Sequence, residues 1–191
     1  ETGTERIGWT GDFYTSSDVH PTIGQALARQ AEQIDRLLGQ PNPFTVVEMG
    51  PGKGLLAKHF LSACRLDADS LFQRLQYVLI DRSPAMRDSQ RRNLAPWLNR
   101  PGLVSWADDL DTLAPDSVTG MFLSNELVDA FPVHRIQVTG GRIEEICVDR
   151  QDGRFVECLK PLSTAALAHH VDSLDVHWPD GYRTEINLEA V

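Results

Sequence analysis

The residues whose spacing best fits a chemical task are Glu48-Met49-Gly50-Pro51-Gly52-Lys53-Gly54. They follow the apolar run Phe44–Met49 and precede an apolar-periodic stretch that starts at Leu55. Glycines are needed where a chain turns from strand to helix and a ligand must approach the backbone closely. Spacing separates the ligand classes that use such turns. A dinucleotide fingerprint, G-x-G-x-x-G, would need its third glycine at Leu55, and Gly54 falls one residue early. A phosphate loop, G-x-x-x-x-G-K-[ST], would need glycine at Val47 and a hydroxyl residue where Gly54 stands. Asp81 closes a second apolar run, Tyr77–Ile80. In a doubly wound sheet that strand end faces the ligand crevice, and a carboxylate there can accept from both hydroxyls of a ribose. A turn aspartate beside Arg82, Ser83 and Pro84 is the plainer alternative. Asp108 and Asp109 follow a third strand and are placed either to accept from an adenine amino group or to cap a helix.

Asn125-Glu126 lie just past a fourth strand, at the same crevice edge as the glycine turn. Glu126 and Asp129 are three residues apart and share a face if the segment is helical. Two carboxylates so placed can hold a guanidinium by bidentate hydrogen bonds and polarise its nitrogen. Capping by Asp129 and solvation of Glu126 are the alternatives. The six histidines are scattered or, at His169-His170, diverge on a helix, so they form no metal set. Arg82, Arg87, Arg91 and Arg92 read as the solvated face of a helix. Trp97, Trp106 and Trp178 read as core.

The elements that must position these residues follow from periodicity. Ala26, Leu27, Ala31, Ile34, Leu37 and Leu38 predict an amphipathic helix over 25–38, stopped by Gly39, Pro41 and Pro43. Strands are predicted at Phe44–Met49, Tyr77–Ile80, Leu103–Trp106 and Gly120–Ser124. Helices fall between them, at Leu55–Leu66 and from Pro84 through Leu94. That alternation predicts an α/β fold, a parallel sheet with helices on both faces. After Ala130 the pattern becomes antiparallel. His134–Val138, Gly140-Gly141 and Ile143–Val148 form a hairpin, and Phe155-Val156 form a third strand after Asp152-Gly153. The polar tail from His177 starts what reads as a helix at Leu188. Three segments result: 1–40, a loop and helix; 41–133, the ligand-binding core; and 134–191, the antiparallel insertion.

Composition narrows the function classes. The chain has 191 residues and a formal net charge of −9, which argues against duplex nucleic acid as a partner. No apolar run approaches the ~20 residues needed to cross a bilayer, and the first residues lack the layout of a secretory signal. Three cysteines without CxxC spacing read as reduced thiols, hence a reducing compartment.

Four ordered stretches resemble one family. They are Gly11-Asp12-Phe13-Tyr14-Thr15-Ser16, Val47–Gly54, Ser83-Pro84 with Arg87 and Gln90, and Asn125–Val133. Together they look like the MidA family of S-adenosyl-L-methionine (SAM) methyltransferases, which includes the mitochondrial complex I assembly arginine methyltransferase. The glycine turn in particular resembles motif I of the class I SAM methyltransferases, [DE]-x-G-x-G-x-G. The resemblance implies a Rossmann-like class I fold with SAM as cofactor. It implies cofactor contacts from Asp12, Phe13, Tyr14, Thr15 and Ser16, from Glu48, Gly50, Pro51, Gly52 and Gly54, and from Asp81 and Asp108. Glu48 would then answer the cationic sulfonium and ammonium of the ligand. Asn125, Glu126 and Asp129 would serve catalysis, with a protein arginine as acceptor, in the cytoplasm of a bacterium or in a mitochondrial matrix. Ser17-Asp18, Lys53 and Leu127-Val128 depart from the usual family residues. The resemblance also implies a chain trimmed at both ends. Its fourth strand would then be left as an edge that invites a homodimer unless the hairpin covers it. Two other classes stay open: a non-catalytic assembly factor and a nicotinamide-dependent oxidoreductase.

Overall fold

The computed structural model describes residues 20–189, so Asp12, Phe13, Tyr14, Thr15 and Ser16 lie outside the described residues. The chain divides between Leu127 and Val128 into two compact units.

The first unit runs α1 (Thr22–Leu37), β1 (Phe44–Met49), α2 (Leu55–Asp67), the short α3 (Asp69–Phe72), β2 (Leu75–Ile80), α4 (Pro84–Leu98), β3 (Val104–Ala107) and β4 (Gly120–Ser124). Its four strands are all parallel, in the order β3-β2-β1-β4. One face of the sheet presents Phe44, Val46, Leu75, Tyr77 and Leu79, and these join α1, α2 and α4 in a single buried cluster with Ala28, Phe60, Leu61 and Leu94. Each large apolar side chain so buried contributes roughly 1.5–3 kcal/mol. Within this unit the three long helices share that one cluster. β1 and β4 match the predicted strands residue for residue. α4 continues past Leu94 and through Pro96, because Leu94 and Trp97 are both buried in the core.

Helix α1 buries part of the predicted stripe, Ala31 with Leu27 and Ile34 packed against the core, and adds residues that the stripe did not include. Gly24, Ala28, Ala31 and Asp35 are its buried residues, whereas Leu37 is 86% exposed. The small residues allow α1 to lie close to α2: a Cβ added at Gly24 would stand 2.5 Å from the His59 Cβ. Asp35 is buried because Arg74, at the start of β2, grips it by two 2.8 Å hydrogen bonds and also donates to the Pro41 carbonyl. That clasp ties the end of α1 to the strand layer.

The second unit holds β5 (His134–Thr139), β6 (Arg142–Gln151), β7 (Arg154–Lys160), α5 (Ala165–Ser173) and β8 (Arg183–Ile186). Its antiparallel sheet has the order β7-β6-β5-β8 and carries α5 on a small core of Ile136, Leu167, Val171 and Ile186. The predicted hairpin and third strand are present. The tail forms β8, paired with β5, and Leu188 and Glu189 beyond it are a turn, the rest of the helix expected there lying outside the described residues. The hairpin belongs to a sheet of its own, so β4 is an edge strand of the parallel sheet among the described residues, with Phe122 62% exposed.

Candidate functional site

Strand register brings the candidate residues into one row. Met49 pairs with Ile80 and with Ser124, and Ile80 pairs with Ala107. The next residue on each strand is therefore Gly50, Asp81, Asn125 and Asp108, four neighbours along the carboxyl edge of one parallel sheet. The order of connection reverses beside β1, which is where open α/β sheets place their ligand crevice.

The glycine turn is built for close approach. Gly50, Gly52 and Gly54 have φ of 69°, 51° and 77°, and Gly54 starts α2 in the left-handed conformation. A Cβ at Gly52 would meet nothing within 4 Å, so open space adjoins its backbone. Pro51 is buried beneath, and its carbonyl accepts from the Gly54 N–H at 2.8 Å.

Two side chains of α4 stitch the strand ends together. The amide of Gln90, which is fully buried, donates to the Gly52 carbonyl at 2.8 Å and to Asp81 Oδ2 at 2.7 Å. Its oxygen accepts from the indole N–H of Trp106 at 2.7 Å. Three residues earlier, Arg87 donates to the carbonyls of Asp81 and Ala107 and to the Asp108 carboxylate, each at 2.7 Å. Arg87 is thus a structural cross-brace between β2 and β3, not part of a solvated face. In the sequence Gln90 stood out only as a matched motif residue, and Arg87 as a motif residue and as one of four clustered arginines. Nothing in their type or spacing announced these contacts, which depend on tertiary packing.

Asp81 accepts from Ser83 N–H at 2.9 Å on one oxygen and from Gln90 on the other. A carboxylate offers about four lone-pair sites, so capacity remains for two ligand hydroxyls. Asp108 is exposed and committed to Arg87, and Asp109 caps the 3-10 turn Leu110–Thr112. Glu48 stands two residues before the row with its side chain on the core face. It is 2% exposed and accepts from the Tyr77 hydroxyl at 2.8 Å. Burial pushes its carboxyl up to about 7, against a smaller downward pull from Tyr77.

Asn125 and Glu126 form a bend, with Glu126 exposed at φ 50°, and a 3-10 turn begins at Val128. The segment is therefore not helical through Glu126, and the shared face expected with Asp129 does not form. Asp129 lies in that 3-10 turn, at the start of the second unit. No group of three or more metal-ligating side chains occurs among the described residues. Nor does any described helix have the length and apolarity to cross a membrane. A bare backbone cradle beside a carboxylate with spare acceptor sites suits a nucleoside that presents a diol.

Comparison with known proteins agrees. Residues 26–191 match a family model described as an S-adenosyl-L-methionine-dependent methyltransferase. A crystallised Burkholderia thailandensis protein bound to S-adenosyl-homocysteine is 30% identical, with a TM-score of 0.68 over 95% of this chain and 46% of that one. The Drosophila melanogaster protein arginine methyltransferase NDUFAF7 homolog, mitochondrial, is 27% identical over 75% of this chain. The Homo sapiens protein arginine methyltransferase NDUFAF7, mitochondrial, is 24% identical over 76% of this chain. The chain spans 36% of the length of each of these two relatives. The resemblance drawn from the sequence motifs is upheld by the match over most of the chain: the chain belongs to this S-adenosyl-L-methionine-dependent methyltransferase family.

Proposed function

We propose that this chain carries the cofactor-binding part of a methyltransferase that acts from SAM on a protein arginine. The observation that carries the reading is the row of strand ends in which Gln90 joins the Gly52 carbonyl to the Asp81 carboxylate. Gly50, Pro51, Gly52 and Gly54 offer backbone to the ligand, and Asp81 takes the ribose hydroxyls. Asp108 flanks the adenine side, and Asp12, Phe13, Tyr14, Thr15 and Ser16 add contacts by resemblance to the family. Glu48 supports the turn from the core side. SAM, when bound, supplies a methyl carbon activated by a positively charged sulfur. The protein's task is then to align the acceptor and help remove its proton. Asn125 and Glu126, at the exposed end of β4, are assigned to holding and polarising the guanidinium, and Asp129 is assigned an auxiliary role. The relatives named above are mitochondrial and the solved neighbour is bacterial. The compartment is accordingly a mitochondrial matrix or a bacterial cytoplasm.

Isothermal titration with SAM tests the cofactor reading. Saturable binding, weakened by Gly52→Arg and by Asp81→Ala, is expected. Binding that neither substitution changes overturns the assignment, as does silence from a folded chain extended to the relatives' length. Glu126→Gln should then leave SAM affinity intact and abolish methylation of arginine peptides. Binding without turnover on any peptide favours an assembly factor that keeps the fold.

A further inference from the structure

Cys147 on β6 is paired directly with Cys158 on β7. Residues opposite one another in an antiparallel ladder point to the same face. Both thiols are free and half-buried. The loop between the strands is Asp152-Gly153, with φ of 50° and 78°, the two positive values that a type I′ turn requires. Such a turn holds the register without a bulge, and the pairing is one to one from Gln151–Arg154 through Glu145–Lys160. Counting from the loop-closing pair, the cysteines fall on a pair that exchanges backbone hydrogen bonds, for which the Cα separation is about 5.5 Å. Disulfides accept Cα separations of roughly 4.4–6.8 Å, so the bond can close without unpairing the strands. Its preferred Cβ separation of about 3.8 Å is shorter than that of an opposed pair, so closure draws the strands together and leaves the bond easily reduced. Cys64, fully buried in α2, has no such partner.

We propose that Cys147 and Cys158 form a reversible dithiol site that low-molecular-weight disulfides oxidise, cross-linking β6 to β7. One cysteine thiolate attacks a sulfur of oxidised glutathione and expels one glutathione thiolate. The second cysteine thiolate attacks the protein sulfur of that mixed disulfide and expels the other. Both cysteines are oxidised, one glutathione disulfide is reduced to two thiols, and the two cysteine protons end on the leaving glutathiones. The site stands apart from the SAM reading and survives its failure.

The test is incubation of the 191-residue chain with oxidised glutathione, then denaturation, alkylation and tryptic mapping. Three alkylated cysteines before oxidation should fall to one, Cys64. Trypsin cleaves at Arg150 and Arg154, so the Cys147 and Cys158 peptides should be recovered joined and should separate on reduction. Excess reduced glutathione should restore both thiols. Cys147→Ser should leave Cys158 trapped as a stable mixed disulfide, because its resolving partner is gone. Three alkylatable cysteines after oxidation overturn the proposal. So do separate mixed disulfides at both positions of the unsubstituted chain, or a bond that includes Cys64.

Discussion

The buried carboxyl of Glu48 makes the stability of the first unit depend on pH in a direction opposite to that of most carboxylates. Its folded-state value is about 7 against an ordinary 4.5, because desolvation opposes ionisation more strongly than the Tyr77 hydrogen bond favours it. A group raised on folding binds its proton more tightly in the native state. Stability from this source is therefore complete below pH 4.5 and declines up to about pH 7, where the folded protein also loses the proton. The span corresponds to roughly 3 kcal/mol. Glu48→Gln keeps an oxygen for the Tyr77 hydroxyl and removes the titration. Urea unfolding of both proteins across this range, in a Trp9→Phe/Trp178→Phe background so that Trp97 and Trp106 of the first unit report, gives the difference directly. The stability gap should move by about 3 kcal/mol in favour of Glu48→Gln between pH 4.5 and pH 8. Tyr77→Phe should push the Glu48 transition to still higher pH, since it removes the one interaction that lowers it. A gap that stays constant with pH refutes the reasoning.

Other expectations follow from named contacts. Asp35→Ala leaves the Arg74 guanidinium without its bidentate partner and should cost about 3 kcal/mol or more in urea unfolding. Gly24→Ala forces a Cβ against the His59 Cβ and the Phe60 backbone, so α1 must move off α2 at a cost of about 1–3 kcal/mol. Gln90→Leu leaves the Trp106 indole N–H, Asp81 and the Gly52 carbonyl each short of a partner. Calorimetry should show SAM affinity lowered by about tenfold, the equivalent of one hydrogen bond, and urea unfolding a loss of roughly 2 kcal/mol.

Much of the strand layer was legible because buried parallel strands are short continuous apolar runs, as at Phe44–Met49 and Gly120–Ser124. The glycine turn and Asp81 were legible for a related reason: backbone conformation and strand-end position are local properties. What escaped was long-range. The face of α1 was legible at Leu27, Ala31 and Ile34 but not at its ends, because periodicity weights Leu37 above Gly24, while close packing on α2 rewards the smaller residue. Strand β8 reads Arg183-Thr184-Glu185-Ile186, and only its pairing with β5, some fifty residues earlier in the chain, makes it a strand. The Glu126–Asp129 geometry failed because the chain bends at Glu126 with positive φ, a conformation that glutamate rarely adopts and that its sequence does not advertise.

The Glu48–Tyr77 hydrogen bond has a consequence for how the sheet finds its alignment. Val46 faces Tyr77 and Glu48 faces Leu79, so the two polar groups meet diagonally across β1 and β2 on the core side. A slip of one residue between these strands would turn one partner out of the core and strand the other there without a mate. Apolar neighbours such as Val46 and Val78 would tolerate that error, whereas a lone carboxyl or phenol would not. The pair acts as a locating pin, and because Gly50 and Asp81 stand one step beyond β1 and β2, it also sets the spacing of the ligand cradle.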